Sequence, residues 1–298
     1  MKNSVSLVLV SIFVLCLAAT AQTTARCEFK NFDVPNSTFT TVTGINNSGV
    51  LAGTFGDSAG NAHGFIFRSH TFTFFDFPGA SRTETGQINN RDWVVGDYED
   101  AKTFVQKGYL LRSGTFTTIF VPGSSSTRAS GINDRGVIVG TFDNSSGEHG
   151  FARIHGEFVT IDFPGASRTS ARGINDAGEI VGIYGDQHGG NHGFILRHGH
   201  FTSLDFPGTS GTTGAVGISP TGIVVGNYFS GPLGGNGHGF IVNKDYDADD
   251  FETADFPGAT TTTIGFDMNA RQVMVGTYVK GFGSNHGFVA DCQVLPRR

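Results

Sequence analysis

Short apolar runs alternate with glycine-, serine- and asparagine-rich stretches through almost the whole chain, and the alternation has a period. One unit reads Thr169, Gly173-Ile174-Asn175, Gly178, Ile180-Val181-Gly182, Tyr184, His192-Gly193-Phe194-Ile195, Phe201 and Asp205-Phe206-Pro207-Gly208. Its proline recurs as Pro35, Pro78, Pro122, Pro164, Pro207 and Pro257, at spacings of 43, 44, 42, 43 and 50. The Ile-Asn step recurs at Asn46, Asn89, Asn133, Asn175, Ser219 and Asn269. The His-Gly-Phe step recurs at His63, His149, His192, His238 and His286, with Lys107-Gly108-Tyr109 in the second unit. Each unit divides into four strand-like runs, designated a to d: Thr-x-x-x-Gly-Ile-Asn, Ile-Val-Gly-x-Tyr, His-Gly-Phe-Ile, and the run that stops at Asp-Phe-Pro-Gly. Turn residues such as Asn133-Asp134-Arg135-Gly136 separate a from b, and Arg68-Ser69-His70 separates c from d. Proline has no N–H for a sheet ladder, so Pro-Gly ends d. A period of roughly 40–50 residues with four strands per unit is the signature of propeller blades.

The first and last units are incomplete in complementary ways. Residues 27–35 match only d, with Asp33 and Pro35 in register with Asp76 and Pro78, while the last unit supplies a, b and c. The pattern therefore predicts an all-β, six-bladed β-propeller with four antiparallel strands per blade, closed by an N-terminal strand that completes the last blade and hides its edge. It would span residues 27–292, with a short tail at 293–298. In the repeat alignment Cys292 falls on Ser69 and Cys27 on His70, neighbours in an unbroken c–d turn, so a Cys27–Cys292 disulfide is expected in place of that turn's peptide link. Strand a, with its Thr, Ala and Gly positions, suits a crowded axis.

Composition and charge narrow the setting. Residues 1–21 read as a signal peptide: Lys2, an apolar run from Val5 to Leu17, then Ala19-Thr20-Ala21 as a small-x-small cleavage site. The run is short for a membrane span, so no span is expected after cleavage. Export places the chain outside the cell or in a periplasm and permits a disulfide. With 44 Gly and 28 Phe the chain favours turns and pleated surfaces over helices. The net charge of −6 becomes −7 once Lys2 leaves, and no basic cluster stands out, which argues against nucleic acid as a partner.

At these residues the chain resembles the HAF repeat family of extracellular bacterial proteins. Ile132-Asn133-Asp134-Arg135-Gly136-Val137-Ile138-Val139-Gly140 and residues 174–182 match that family's Ile-Asn-x-x-Gly-x-Val-Val-Gly element, whereas His-Gly-Phe replaces His-Ala-Phe and Asp-Phe-Pro-Gly replaces the later segment. The resemblance implies an extracellular repeat protein and no particular chemistry.

What recurs in every unit builds the ring, so function is sought in departures. The b–c loops and d–a connections share one face, the loop face, where binding residues usually concentrate. Its departures are Glu99, Asp100, Lys102 and Lys107 in the second unit, Glu148 in the third, and Asp186 and His188 in the fourth. Arg82, Lys107 and Arg168 are candidate contacts for carboxylate or sulfate groups of a ligand. On the other face the c–d turn of the fifth unit carries Asp245, Asp247 and Asp249, hard oxygens of the kind that bind Ca²⁺, against the alternative of a solvated acidic turn. No other cofactor is implied. The expected function is an extracellular binding or scaffold module for a glycan or protein ligand. The alternative is a polysaccharide hydrolase or lyase at the axis, with Glu99, Glu148, Asp186 and His188 as first suspects for catalysis.

Overall fold

The computed structural model describes residues 26–209, 212–230, 236–281 and 283–293. The expected leader and all but the first residue of the expected tail lie outside the described residues. Among these, every regular element except one 3-10 turn, Ala248–Asp250, is a β-strand. Blade one is Phe39–Ile45, Leu51–Gly56, Ala62–Arg68 and Thr71–Phe75. Blade two is Ala80–Ile88, Val94–Asp100, Gln106–Arg112 and Thr115–Ile119. Blade three is Ser126–Ile132, Ile138–Asn144, Gly147–Ile154 and Glu157–Ile161. Blade four is Arg168–Ile174, Ile180–Gly185, Asn191–Arg197 and His200–Leu204. Each is an antiparallel meander in sequence order.

The expectation of six four-stranded blades needs correction. Only four small four-stranded sheets form, and the remaining strands make a single eight-stranded sheet. Thr213–Ile218, Val224–Ser230, Asn236–Val242 and Phe251–Thr253 occupy one half; Thr262–Met268, Val273–Val279, Asn285–Gln293 and Arg26–Asn31 occupy the other. A parallel pairing of Gly237 with Thr262 joins the halves, and Gly237 N–H donates to Thr261 O at 2.7 Å. Asn191 makes the equivalent parallel bridge to Thr212 one unit earlier, as an isolated pair that does not merge the two sheets. Arg26–Asn31 pairs antiparallel with Asn285–Gln293, setting Cys27 opposite Cys292, and the two sulfurs are bonded.

Two sequence constraints hold the inner strands. The first is the repeat Asn. Asn133 Oδ1 accepts the N–H groups of Arg135 and Val137 in its own turn, while its Nδ2 donates to Asn175 O in the next unit at 3.1 Å. Asn46, Asn89 and Asn175 repeat the forward donation, and Asn269 donates to Asn46 O at 3.2 Å, across the seam between the chain's first and last units. A parallel ladder runs beside it, from Ala270 N to Asn47, Asn47 N to Asn90, Asn90 N to Asp134 and Asp134 N to Asp176. Ser219-Pro220 interrupts both: Ser has no amide to donate, and Pro has neither an N–H nor an acceptor side chain.

The second constraint is the glycine of strand b. A Cβ at Gly53, Gly96, Gly140, Gly182, Gly226 or Gly276 would fall on a strand-a carbonyl and on the ring of Phe65, Tyr109, Phe151, Phe194, Phe240 or Phe288. The glycine is the notch into which the strand-c aromatic lies flat. Cores then form between neighbouring sheets: Val95, Ile119 and Val121 of blade two pack with Ala129, Ile138, Phe142 and Phe151 of blade three. The Phe of Asp-Phe-Pro stacks on the Tyr of the following unit, as in Phe77–Tyr98 at 3.5 Å and Phe163–Tyr184 at 3.7 Å.

Two tests follow from this bonding. Ser219→Asn restores the missing amide rung and is expected to raise the unfolding free energy by roughly 0.5–1.5 kcal/mol, whereas Asn133→Ala strands two turn N–H groups and is expected to cost roughly 2 kcal/mol or more; urea midpoints measure both. Thiol titration of unfolded, unreduced protein is expected to find Cys27 and Cys292 unreactive, and reduction to cost up to roughly 5 kcal/mol in the chain-entropy limit.

Candidate functional site

Strand a is the innermost strand. Adjacent strands a touch around the axis, as where Thr43 Oγ1 donates to Gly86 O at 2.7 Å. Each strand a carries a bulge, between Val42 and Gly44, Ala129 and Gly131, Ala171 and Gly173, Ala215 and Gly217, and Gly265 and Asp267, with an equivalent irregularity between Thr85 and Ile88. A bulge leaves one residue out of the ladder and re-aims its side chain. Thr43, Ser130, Arg172, Val216 and Phe266 are those residues, and all five line a cavity of about 390 Å³ on the axis or, for Arg172, also the cavity beside it.

The axial cavity opens on the loop face. The opposite end narrows to about 50 Å³ between the Asn ladder, Gln87 and Asp267. Asp267 is buried, and its two oxygens accept the N–H groups of Ile45 and Met268 at 3.0 and 2.9 Å. Burial raises its pKa to about 7 against those two bonds.

One side of the cup is an arc of charge over blades two to four. Ser81 Oγ donates to Glu99, Arg82 lies 3.9 Å from Glu99 and bonds Glu84 at 2.9 Å. Glu84 stands across the strand pair from Asp97, and Gln106 Nε2 donates to Asp97 at 2.6 Å. Arg128 bonds Gln106 at 3.2 Å and pairs with Asp143 at 3.4 Å and Glu148 at 3.2 Å. Arg168 continues the arc through Glu148 at 3.8 Å and through Asn191. Burial, and then the charge of Glu84, raise the pKa of Asp97 to about 6 against the Gln106 bond and the Arg82 and Arg128 charges. The facing side of the cup carries no charge: the apolar Phe39, Val216 and Phe266 stand there beside Thr41, Thr43 and Asn285. A second cavity of about 400 Å³ adjoins it, running past Glu148, Arg168, Ile183, Asn227 and Phe229, and Arg172 lines both.

The expected site residues divide accordingly. Glu99, Glu148, Arg82 and Arg168 are brought into one arc, though each basic group already has an internal carboxylate partner. Lys107 takes the repeat-His position and pairs with Asp100 at 3.2 Å, as His63 and His192 meet Asp57 and Asp186, whereas the bond of the repeat His to the Asp of Asp-Phe-Pro, as in His149–Asp162 and His286–Asp33, has no counterpart because Phe120 stands at that Asp. Asp186 and His188 stay within their own loop: Asp186 accepts the His188 and Gly190 N–H groups and lies 3.3 Å from His192 Nε2. In the acidic turn, Asp250 folds inward to accept the Asp247 N–H, and among the described residues Asp245, Asp247 and Asp249 do not form a three-ligand metal group. The sequence reading missed Glu84, Asp97, Arg128 and Arg172. The usable signal was the departure of charged residues from small ones at inward positions of strands a and b.

Compared with known proteins, the chain matches no family model and no curated protein. It resembles solved structures at low identity. TolB from Acinetobacter baumannii superposes with a TM-score of 0.56 at 13% identity, over 71% of this chain and 53% of TolB, so the chain spans about half the length of that protein. The Aleuria aurantia lectin, solved with α-methyl-L-fucoside, gives 0.52 at 9% identity over 90% and 99%. The β-propeller domain of the Trilobed protease from Pyrococcus furiosus gives 0.51 at 9% over 87% and 100%. The fold is a β-propeller. No helix among the described residues of the propeller is long and apolar enough to cross a membrane.

The two raised carboxyls set a pH dependence. Unfolded, both would titrate near 3.8; folded, Asp97 and Asp267 hold their protons to about 6 and 7. Their contribution to stability is therefore complete below about pH 4 and is lost as pH rises through 6 and 7. Asp267→Asn is expected to flatten the fall in melting temperature between pH 4 and 7, while lowering it at pH 4 because one accepted N–H loses its partner.

Proposed function

We propose that the protein is a secreted binding module that takes an extracellular ligand, a glycan or a charged group of a protein, into the axial cup of its loop face. The observation that carries this reading is the two-sided cup: charged and hydrogen-bonding groups on blades two to four oppose an uncharged side where Phe39 of blade one and Val216 and Phe266 of the composite sheet present apolar surface. Such a mixed lining suits an amphipathic ligand, a few polar groups fixing orientation and apolar surface supplying contact. The disulfide agrees with export to an oxidising compartment, and the HAF-type repeat resemblance belongs to the same reading. A lectin among the fold neighbours puts sugars first in a screen.

One observation favours a second reading, a polysaccharide-cleaving enzyme. Glu84 and Asp97 are paired carboxyls on the axis, and their surroundings push one to hold its proton near neutral pH, the division that acid–base catalysis uses. A glycan and polysaccharide screen that scores binding and product release separately is expected to give binding without release; sustained release abolished by Asp97→Asn would favour the enzyme.

Ser130→Phe tests the location. Phe266 occupies the equivalent bulge position in the last unit, so the fold accommodates the ring there, while at Ser130 it fills the cup. Binding is expected to fall at least roughly tenfold, with melting temperature little changed; unaltered binding would place the ligand elsewhere.

A further inference from the structure

Arg172 is the bulge residue of blade four, between Ala171 and Gly173, at a position where the other units place Thr43, Ser130, Val216 or Phe266. It is partly buried, its Nε is shielded from solvent without a hydrogen-bond partner, and no described carboxylate pairs with it. Its neighbours in the arc differ: Arg82, Arg128 and Arg168 are each matched to a carboxylate. A desolvated guanidinium that feels Glu148 and Asp97 only at a distance, with no carboxylate in ion-pair contact, is costly to keep, and its planar fork fits a carboxylate in bidentate fashion. Arg172 also stands where the axial cup meets the adjoining groove, on the wall of both.

The surrounding charge limits what it would receive. Four guanidinium groups, of Arg82, Arg128, Arg168 and Arg172, face five carboxyls, of Glu84, Asp97, Glu99, Asp143 and Glu148. With carboxyls already in excess, each further anionic charge is opposed, so a polyanion or a dianionic phosphate is disfavoured more than a single carboxylate, whose one charge is offset where it sits directly on Arg172.

We infer that the cup and groove form one site for a singly charged carboxylate borne on a sugar-sized, partly apolar body, with Arg172 as the carboxylate receptor and Phe266 and Val216 as the apolar support. The inference rests on the cup-binding reading and names its ligand class. The source of the carboxylate, a free hydroxy-acid sugar or the acidic end of a glycan chain, is separated by the choice of probes.

The test is calorimetric titration of the protein with galacturonate, its methyl ester and an otherwise neutral trisaccharide bearing one terminal galacturonate, repeated on Arg172→Gln, Arg172→Lys and Ser130→Phe. Galacturonate or the acidic trisaccharide is expected to bind at least tenfold tighter than the ester. Arg172→Gln is expected to weaken the acid about 10- to 100-fold, the loss of a charged hydrogen-bond pair, and to leave the ester unchanged. Arg172→Lys is expected to retain part of the preference. Melting temperature should stay level or rise in Arg172→Gln, since an unmatched cation is removed; a purely structural arginine would give a fall. Binding of both acids identifies a free monocarboxylate as sufficient, and binding of the singly acidic trisaccharide alone identifies a glycan end. Equal binding of acid and ester, a preference that survives Arg172→Gln, or no binding of any probe at millimolar concentration overturns the inference. Acid–ester parity that Ser130→Phe still blocks leaves the cup-binding reading standing, while binding indifferent to Ser130→Phe removes both.

Discussion

The structure depends on one side chain used repeatedly: the Asn at the end of strand a. Its oxygen organises its own turn by accepting two backbone N–H groups, and its amide reaches the corresponding carbonyl of the next unit. A local turn and a long-range junction are thereby formed by the same four-atom group, so neither can shift without the other. Buried backbone groups must find partners, and around the axis these Asn side chains supply many of them. The ladder also sets the two ends of the axis apart. The end that carries the Asn rungs, with Gln87 and the buried Asp267 between them, leaves only a small pocket of about 50 Å³.

Where the ladder lapses, the sheets change. Ser219-Pro220 and Ala270 lack the groups that carry the two rungs onward, and it is between these two units that the strands join into one sheet through Gly237 and Thr262. At the remaining seam, where the chain's two ends meet, the Asn269–Asn46 rung, the Asp267–Ile45 bond, the Arg26–Asn31 strand and the disulfide act together. Redundancy there is physically reasonable, because no peptide bond continues across it.

The open end of the axis inherits its asymmetry from single substitutions on a symmetric frame. Equivalent bulges aim equivalent positions at one cavity, so a change from Ser or Thr to Arg at one of them alters the whole site. An arc of paired charges then sets the potential, and the composite sheet supplies the apolar side. Retaining Arg172 without an internal partner works against stability, which is the usual cost of a site kept ready for a ligand.

Much of the frame was legible because it recurs. Strand order and the pairing of Cys27 with Cys292 follow from aligning units, since a residue's place in the period implies its place in the blade; the small residues of strand a favoured it for the axis, and the contacts between strands a decide it. Glu99, Glu148, Arg82 and Arg168 stood out as departures and do lie in the charged arc. The number of separate sheets did not follow: a period counts units, whereas sheets are counted by hydrogen bonds between them, and Gly237–Thr262 is such a bond. Nor did the cup itself. Arg172 faces the axis because the bulge of its strand breaks the two-residue alternation that pattern reading relies on, while Glu84, Asp97 and Arg128 lie in regular ladder pairs and meet in one cavity only through the packing of neighbouring units. The linear chain thus determines the repeat, the strands and the clasp, which are local or periodic properties. Which side chains share a cavity is decided only when the ring closes, because that proximity joins residues tens of positions apart through backbone irregularities that the pattern of polar and apolar residues does not record.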